Sequence, residues 1–159
     1  MKRLLRIFFV IAFIPVIASA LVACAGNDRF IVHHGNGTVL DTKTNLMWAG
    51  KDNGSDVSWT AAKSYCENYF AGGFRDWRMP TNDELASLYD ANQTQDAPCA
   101  GNFSIHMATE LIKSTCIETW SSETRDSQAA NFNFVQGNQR WYPQIQTYGT
   151  RALPVRSNK

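Results

Sequence analysis

Apolar positions recur at helical spacing in two runs of the chain. Trp59, Ala62, Cys66 and Tyr69 fall three or four residues apart, the stripe of a helix with one buried face. Ser58 stands just before them as an N-cap, so a helix is expected from there through Phe70. Leu85, Leu88 and Tyr89 make the second run, and Thr81 precedes it with Glu84 three residues on, the signature of a capping box. Between the runs, Gly72 and Gly73 end the first element. Trp77 and Met79 alternate with Arg78 as in a short strand with one buried side, and Pro80 biases Met79 towards an extended conformation.

The rest of the chain alternates with period two. Residues 30–33 and 38–40 read as a hairpin around His34-Gly35-Asn36-Gly37. His33 and His34, being adjacent, point to opposite faces of a strand and are read as a surface turn rather than as metal ligands. Residues 41–45 form a second turn, and residues 46–48 a strand that puts Trp48 in the core. Residues 118–122, centred on Trp120, are another strand. Ala130, Phe132 and Phe134 then point one way while Asn131 and Asn133 point the other. Gln136-Gly137-Asn138 turns the chain into Arg140-Trp141-Tyr142. Residues 143–149 are a polar loop carrying Tyr148, and residues 150–156 close the domain, with Pro154 marking an edge strand or bulge.

Two stretches follow neither period. Residues 51–56 are a polar loop whose Asp52, Asn53 and Asp56 lack EF-hand spacing, so a solvated loop is expected rather than a calcium site. Residues 91–115 are long and irregular, with one short helix expected around 107–113. The two helices and several short strands that result are those of an α+β chain.

The start of the chain has a different pattern. Lys2, Arg3 and Arg6 form a positive n-region, and residues 7–17 an apolar core of signal-peptide length, broken only by Pro15. Leu21-Val22-Ala23-Cys24 follows. This resembles the lipobox of bacterial lipoproteins, which implies cleavage before Cys24 and lipid attachment to its sulfur. The expected organisation is a lipoprotein signal peptide at 1–23, a lipidated tether at 24–29 and one domain at 30–159. Two rivals are an ordinary cleaved signal and an uncleaved anchor. Pro15, Ser19 and the short apolar core weigh against a spanning helix, which needs about 20 apolar residues. Three acyl chains on Cys24 would hold the membrane firmly, since two membrane signals already do. By the same resemblance, Ala25 in place of an Asp after the cysteine implies the outer membrane over the inner one, facing the periplasm or the surface.

Composition narrows the partners. The charged fraction is low (18%) and the aromatic fraction high (12%), as in a chain with a packed core. The formal charge of +1 turns to about −2 once the three basic residues of 1–23 are removed, so no basic surplus drives nucleic-acid binding. With Cys24 lipidated, Cys66, Cys99 and Cys116 remain, in a compartment where disulfides persist. Three pairings are open. Cys66 lies on the apolar stripe of the first helix and reads as a buried thiol, while Cys99 and Cys116 flank one loop-like region. A Cys99–Cys116 bond and a reduced Cys66 are expected. No C-x-x-C or H-E-x-x-H spacing occurs, so no zinc site, metal or cofactor is expected.

Five stretches then occur in order: G-N-G-T-V-L-D-T-K-T-N-L-M-W (35–48), W-T-A-A-K-S-Y-C (59–66), G-G-F-R-D-W-R-M-P-T-N-D-E-L (72–85), W-S-S-E-T (120–124) and R-A-L-P-V-R (151–156). Together they resemble the C-terminal domain of the Legionella collagen-like adhesin, over nearly the whole mature chain. That family looks distantly similar to C-type lectin-like folds, which implies two helices packed on short antiparallel sheets with a long irregular loop region, and its best-known member is a surface adhesin that binds glycosaminoglycans and trimerises. No collagen repeat occurs in this sequence. No E-P-N, Q-P-D or W-N-D triplet occurs either, so the calcium-dependent sugar site of true lectins is not carried over.

The functional expectation is a lipid-anchored bacterial cell-envelope domain for binding or adhesion, holding a glycan or a protein without catalysis. Its alternative is a structural lipoprotein of envelope assembly or maintenance. An enzyme has no nucleophile–base pair or metal set to rest on. Arg140, Trp141, Tyr142 and Tyr148 are the expected ligand contacts, because aromatic faces stack on sugar rings and Arg pairs with sulfate or carboxylate. The rival reading packs Trp141 in the core and leaves Arg140 solvated.

Overall fold

In chain order the elements are β1 (Phe30–His33), β2 (Thr38–Asp41), β3 (Leu46–Ala49), α1 (Trp59–Glu67), α2 (Asn82–Ser87), β4 (Gln95–Ala97), β5 (Phe103–Ile105), β6 (Glu118–Arg125), β7 (Gln128–Asn133), β8 (Asn138–Pro143), β9 (Thr150–Arg151) and β10 (Val155–Ser157). They are those of a computed structural model that describes residues 29–33, 37–99, 101 and 103–159. The signal peptide, Cys24 and His34 lie outside the described residues. The expected α+β class is what the chain adopts.

One sheet, β1-β2-β3-β10, brings the two ends of the domain together, with Val155 opposite Trp48. The other large sheet runs β8-β7-β6-β9, and β4 and β5 form a small hairpin. The expectation of antiparallel sheets holds at every strand pair except one, since β9 lies parallel to β6. The chain travels through β7, β8 and the 143–149 loop before it returns, and a parallel pair needs a long connection of that kind.

Both helices start where their caps are written. The Ser58 hydroxyl accepts from the Ala61 amide at the head of α1. At α2 the Glu84 amide donates to Thr81 Oγ1 (3.2 Å) and the Thr81 amide to Glu84 Oε2 (2.8 Å), which is the capping box in both directions. α1 ends at Glu67, short of the expected Phe70. The backbone and side-chain N–H groups of Asn68 both donate to the Ser64 carbonyl, and this closes the last turn.

The expected helix at 107–113 does not form. Its backbone groups are taken by distant partners: the Ala108 amide donates to Leu88, the Lys113 amide donates to Gly50, and the Thr109 and Ile112 carbonyls accept from the Gln95 side chain. Nor is the 51–56 loop simply solvated. Asp52 is buried and accepts from the Thr115 amide (2.6 Å), the Thr115 hydroxyl and the Gly54 amide. Arg151 joins this cluster through Thr115 Oγ1 (2.8 Å) and Asp56.

The core lies on both sides of the β8-β7-β6-β9 sheet. Trp120 and Ala129 pack with Ala62 and Cys66 of α1, while Phe132 and Phe134 pack with Leu85 and Leu88 of α2. Residues 129 and 132 have opposite parity on β7, so the helices cover opposite faces. Trp48 is fully buried, and Trp77 and Met79 are buried as the alternation around Arg78 requires. Arg78 itself exchanges backbone hydrogen bonds with Val155, which lays this short extended segment beside β10. Cys99 and Cys116 are bonded, with their Cα atoms 5.0 Å apart, and Cys66 is a free, buried thiol. Burial pushes that thiol up to about 12, so it stays protonated and inert.

Candidate functional site

The four expected ligand contacts do not share one surface. Arg140 and Tyr142 lie on the α1 side of the sheet, and the Arg140 guanidinium donates to the Tyr142 hydroxyl (3.2 Å). Trp141 points to the other face, where the Arg125 guanidinium sits 4.2 Å above its ring. Tyr148 stands on the 143–149 loop and is 68% exposed.

Arg140 is held by its own neighbours. It donates to Glu118 Oε1 (2.9 Å) and Gln136 Oε1 (2.7 Å) as well as to Tyr142. Glu118 is almost fully enclosed, and it also accepts from the Asn131 and Asn133 amides (3.1 and 2.9 Å). The alternation that set Asn131 and Asn133 against the phenylalanines is therefore correct in direction. Both asparagines are nevertheless buried, because a carboxylate enclosed here requires donors around it.

A different surface is open. A groove of about 460 Å³ lies between α1, the segment before α2, and β6. α1 contributes Trp59, Lys63 and Glu67; the extended segment contributes Arg78, Met79 and Thr81; β6 contributes Ser122 and Thr124. Each wall has a local cause. Trp59 is the first residue of α1, so its ring stands at the helix edge, half-buried, with its indole N–H donated to the Ser121 carbonyl (2.9 Å). Lys63 follows one turn later, its ammonium 5.6 Å from the Trp59 ring centroid and 3.9 Å from Glu67. Met79 forms buried floor.

Arg78 is clamped at both ends of its guanidinium by Glu84, at 2.8 and 2.6 Å. That hydrogen bond keeps Arg78 firmly cationic. Burial alone would raise the Glu84 carboxyl, but the hydrogen bonds from Arg78 and the Thr81 amide outweigh it and hold Glu84 below its ordinary value. On the third wall, the β6–β7 register shifts between Trp120 and Thr124, a bulge of the kind that re-aims side chains at sites. The Ser122 amide donates to the Pro80 carbonyl (2.8 Å) and pins that bulge to the Arg78 segment. Glu123 turns away to cap the Asn82 amide at the start of α2.

The pattern of the sequence placed Trp59 on a core stripe and did not assign it to a site. The signal that marked the groove was already present, however. Residues 59–66, 72–85 and 120–124 are three of the five stretches that carried the resemblance, and all three meet here. A second cavity of similar volume lies beside the disulfide, lined by Gln95, Asp96, Glu110 and Lys113 among others. It offers no aromatic wall, and its Gln95 and Thr115 side chains are already bonded within the protein. Among the described residues no group of three His, Cys, Asp or Glu side chains is placed to hold a metal ion. No helix among them is long and apolar enough to cross a membrane.

No curated protein matches the chain significantly. Residues 37–156 match the family described as the Lcl C-terminal domain.

Proposed function

The chain belongs to the Lcl C-terminal domain family, a binding and adhesion type of domain, and from that premise we propose that it is a lipid-anchored receptor of the bacterial cell envelope. It holds a glycan or an envelope protein and carries out no catalysis. The observation that carries this reading is the extent of the family match, which takes in both helices and almost every strand. The lipobox-like run ending at Cys24 supports the anchor, and Ala25 after it supports the outer membrane. The only free cysteine among the described residues is enclosed and protonated, which supports binding rather than nucleophilic chemistry.

The test is made in cells. Full-length protein should incorporate labelled fatty acid, sediment with the outer membrane and bind a subset of a glycan array or a captured envelope protein. Cys24→Ala should lose the label and leave the membrane fraction. Continued acylation of that variant would sink the anchor, and turnover of any envelope substrate would sink the non-catalytic reading.

A further inference from the structure

The geometry of the groove between α1, the Arg78 segment and β6 points to the ligand site of this domain, and we propose that the ligand is an uncharged sugar ring rather than a sulfated or otherwise polyanionic chain. This inference rests on the binding reading above and adds a site and a ligand class to it.

Size and shape come first. At about 460 Å³ the groove lies within the roughly 300–1,000 Å³ of small-ligand sites. Its aromatic wall is held in place before any ligand arrives. The Trp59 indole N–H is fixed on the Ser121 carbonyl, so the ring is oriented by a bond that does not involve the ligand, and little freedom remains to be lost on binding. A fixed indole with an apolar Met79 beside it suits the C–H face of a pyranose, which is apolar while its rim is polar.

The polar groups match that rim. Ser122, Thr124 and Thr81 line the groove, and each hydroxyl both donates and accepts. Ser122 and Thr124 are exposed on the bulged part of β6. Sugar hydroxyls need partners of this two-way kind, whereas a sulfate needs only donors.

Charge decides between sugar classes. The groove has two cations, and each has a carboxylate partner: Lys63 with Glu67 and Arg78 with Glu84. These four charges cancel, so a polyanion finds no net attraction in the groove, and it would meet the full charge of Arg78 only by drawing it off Glu84. Glu84 is also the carboxylate that closes the α2 capping box, so that exchange would loosen the helix start as well. A neutral ring can take the remaining donors of Arg78 at its rim and leave the clamp intact.

The experiment titrates the full chain in detergent with neutral hexose and N-acetylhexosamine trisaccharides and, separately, with a heparin-type sulfated chain. Tryptophan fluorescence and calorimetry are the readouts. A neutral trisaccharide should bind, with an affinity that salt does not change. Ser122→Ala combined with Thr124→Val should weaken it at least fivefold with unchanged melting, and Trp59→Ala should abolish it. Two outcomes overturn the inference while the binding reading stands. One is preference for the sulfated chain with strong salt dependence. The other is wild-type affinity in the double variant with loss in Arg140→Gln, which would move the site to β8. If neither saccharide class nor any envelope protein binds the full chain, the binding reading itself fails.

Discussion

At the Arg140 corner of the sheet the guanidinium reaches three different side chains, Glu118, Gln136 and Tyr142. At the Arg78 corner it engages one side chain, the Glu84 carboxylate, through two bonds, and the Met79 carbonyl through a third. Both corners combine an arginine, a glutamate and a neighbouring aromatic residue, so in sequence they look alike. The difference lies in how deeply the carboxylate sits. Glu118 has 5% of its side chain exposed and Glu84 19%. An enclosed carboxylate gathers donors from several strands, and here it engages both the arginine and the tyrosine. The shallower Glu84 is satisfied by one fork-to-fork pair and the Thr81 amide, and beside it Trp59 is half-buried and the Ser122 and Thr124 hydroxyls are exposed. Each arginine makes three bonds inside the fold, so an arginine next to an aromatic does not by itself mark a binding surface; the groove beside Arg78 is what sets that corner apart.

This contrast can be broken at three places. The largest effect is expected from Trp77→Ala. Trp77 is buried beneath the groove segment and meets Tyr69 edge-on, with ring centroids 5.1 Å apart. Chemical denaturation should register a loss of about 3–5 kcal/mol, the range for truncating a buried aromatic. Unchanged unfolding together with lost binding would instead make Trp77 a ligand contact.

Next comes Glu118→Ala, which removes the hub of the enclosed corner and leaves Asn131, Asn133 and Arg140 without it. The loss should be about 2–3 kcal/mol, below the roughly 3–5 of a fully buried pair, because 32% of the Arg140 side chain still reaches solvent. Ligand binding at the groove should not change. A fall in affinity with intact stability would show that the Glu118 corner is a site and not a scaffold.

The smallest effect is a pH dependence at the open corner. The Glu84 carboxyl is lower in the folded chain than its ordinary value. Its contribution is therefore fully present above the unfolded pKa, about 4.3, and is lost as pH falls through the folded value. Between pH 5 and pH 3 the wild type should lose more stability than Glu84→Gln. With both partners partly exposed the difference should stay within about 1 kcal/mol. Parallel pH curves for the two proteins would mean that the clamp contributes nothing to folding.

Much of the fold is legible along the chain because it is local. The Thr81–Glu84 box spans four residues, and both of its bonds form within them. The alternation over 130–134 names which side chains part company, since the pleat leaves no other choice. The stripe of Ala62 and Cys66 is the buried side of α1, and the Cys99–Cys116 bond follows from the apolar setting of Cys66 and the two ends of one loop-like region. The same local reading failed at 107–113, where the short helix expected is replaced by bonds to Leu88, Gln95 and Gly50.

Periodicity states which side of an element is apolar, but not what will cover the polar side. Asn131 and Asn133 were correctly turned away from the phenylalanines, and only the arrival of Glu118 and Arg140 from β6 and β8 buried them. Likewise nothing in residues 59–67 indicates that Trp59 will stand at the rim of a groove, because its other walls come from residues 78–81 and 122–124. Local spacing thus determined the helices, their caps, the strand faces and the free cysteine, since each depends on bonds and steric limits within a few residues. Tertiary structure decided the parallel β9, the lost helix, the engaged Arg140 and the open groove, since each depends on which distant segment reaches a donor, a carboxylate or an apolar face first.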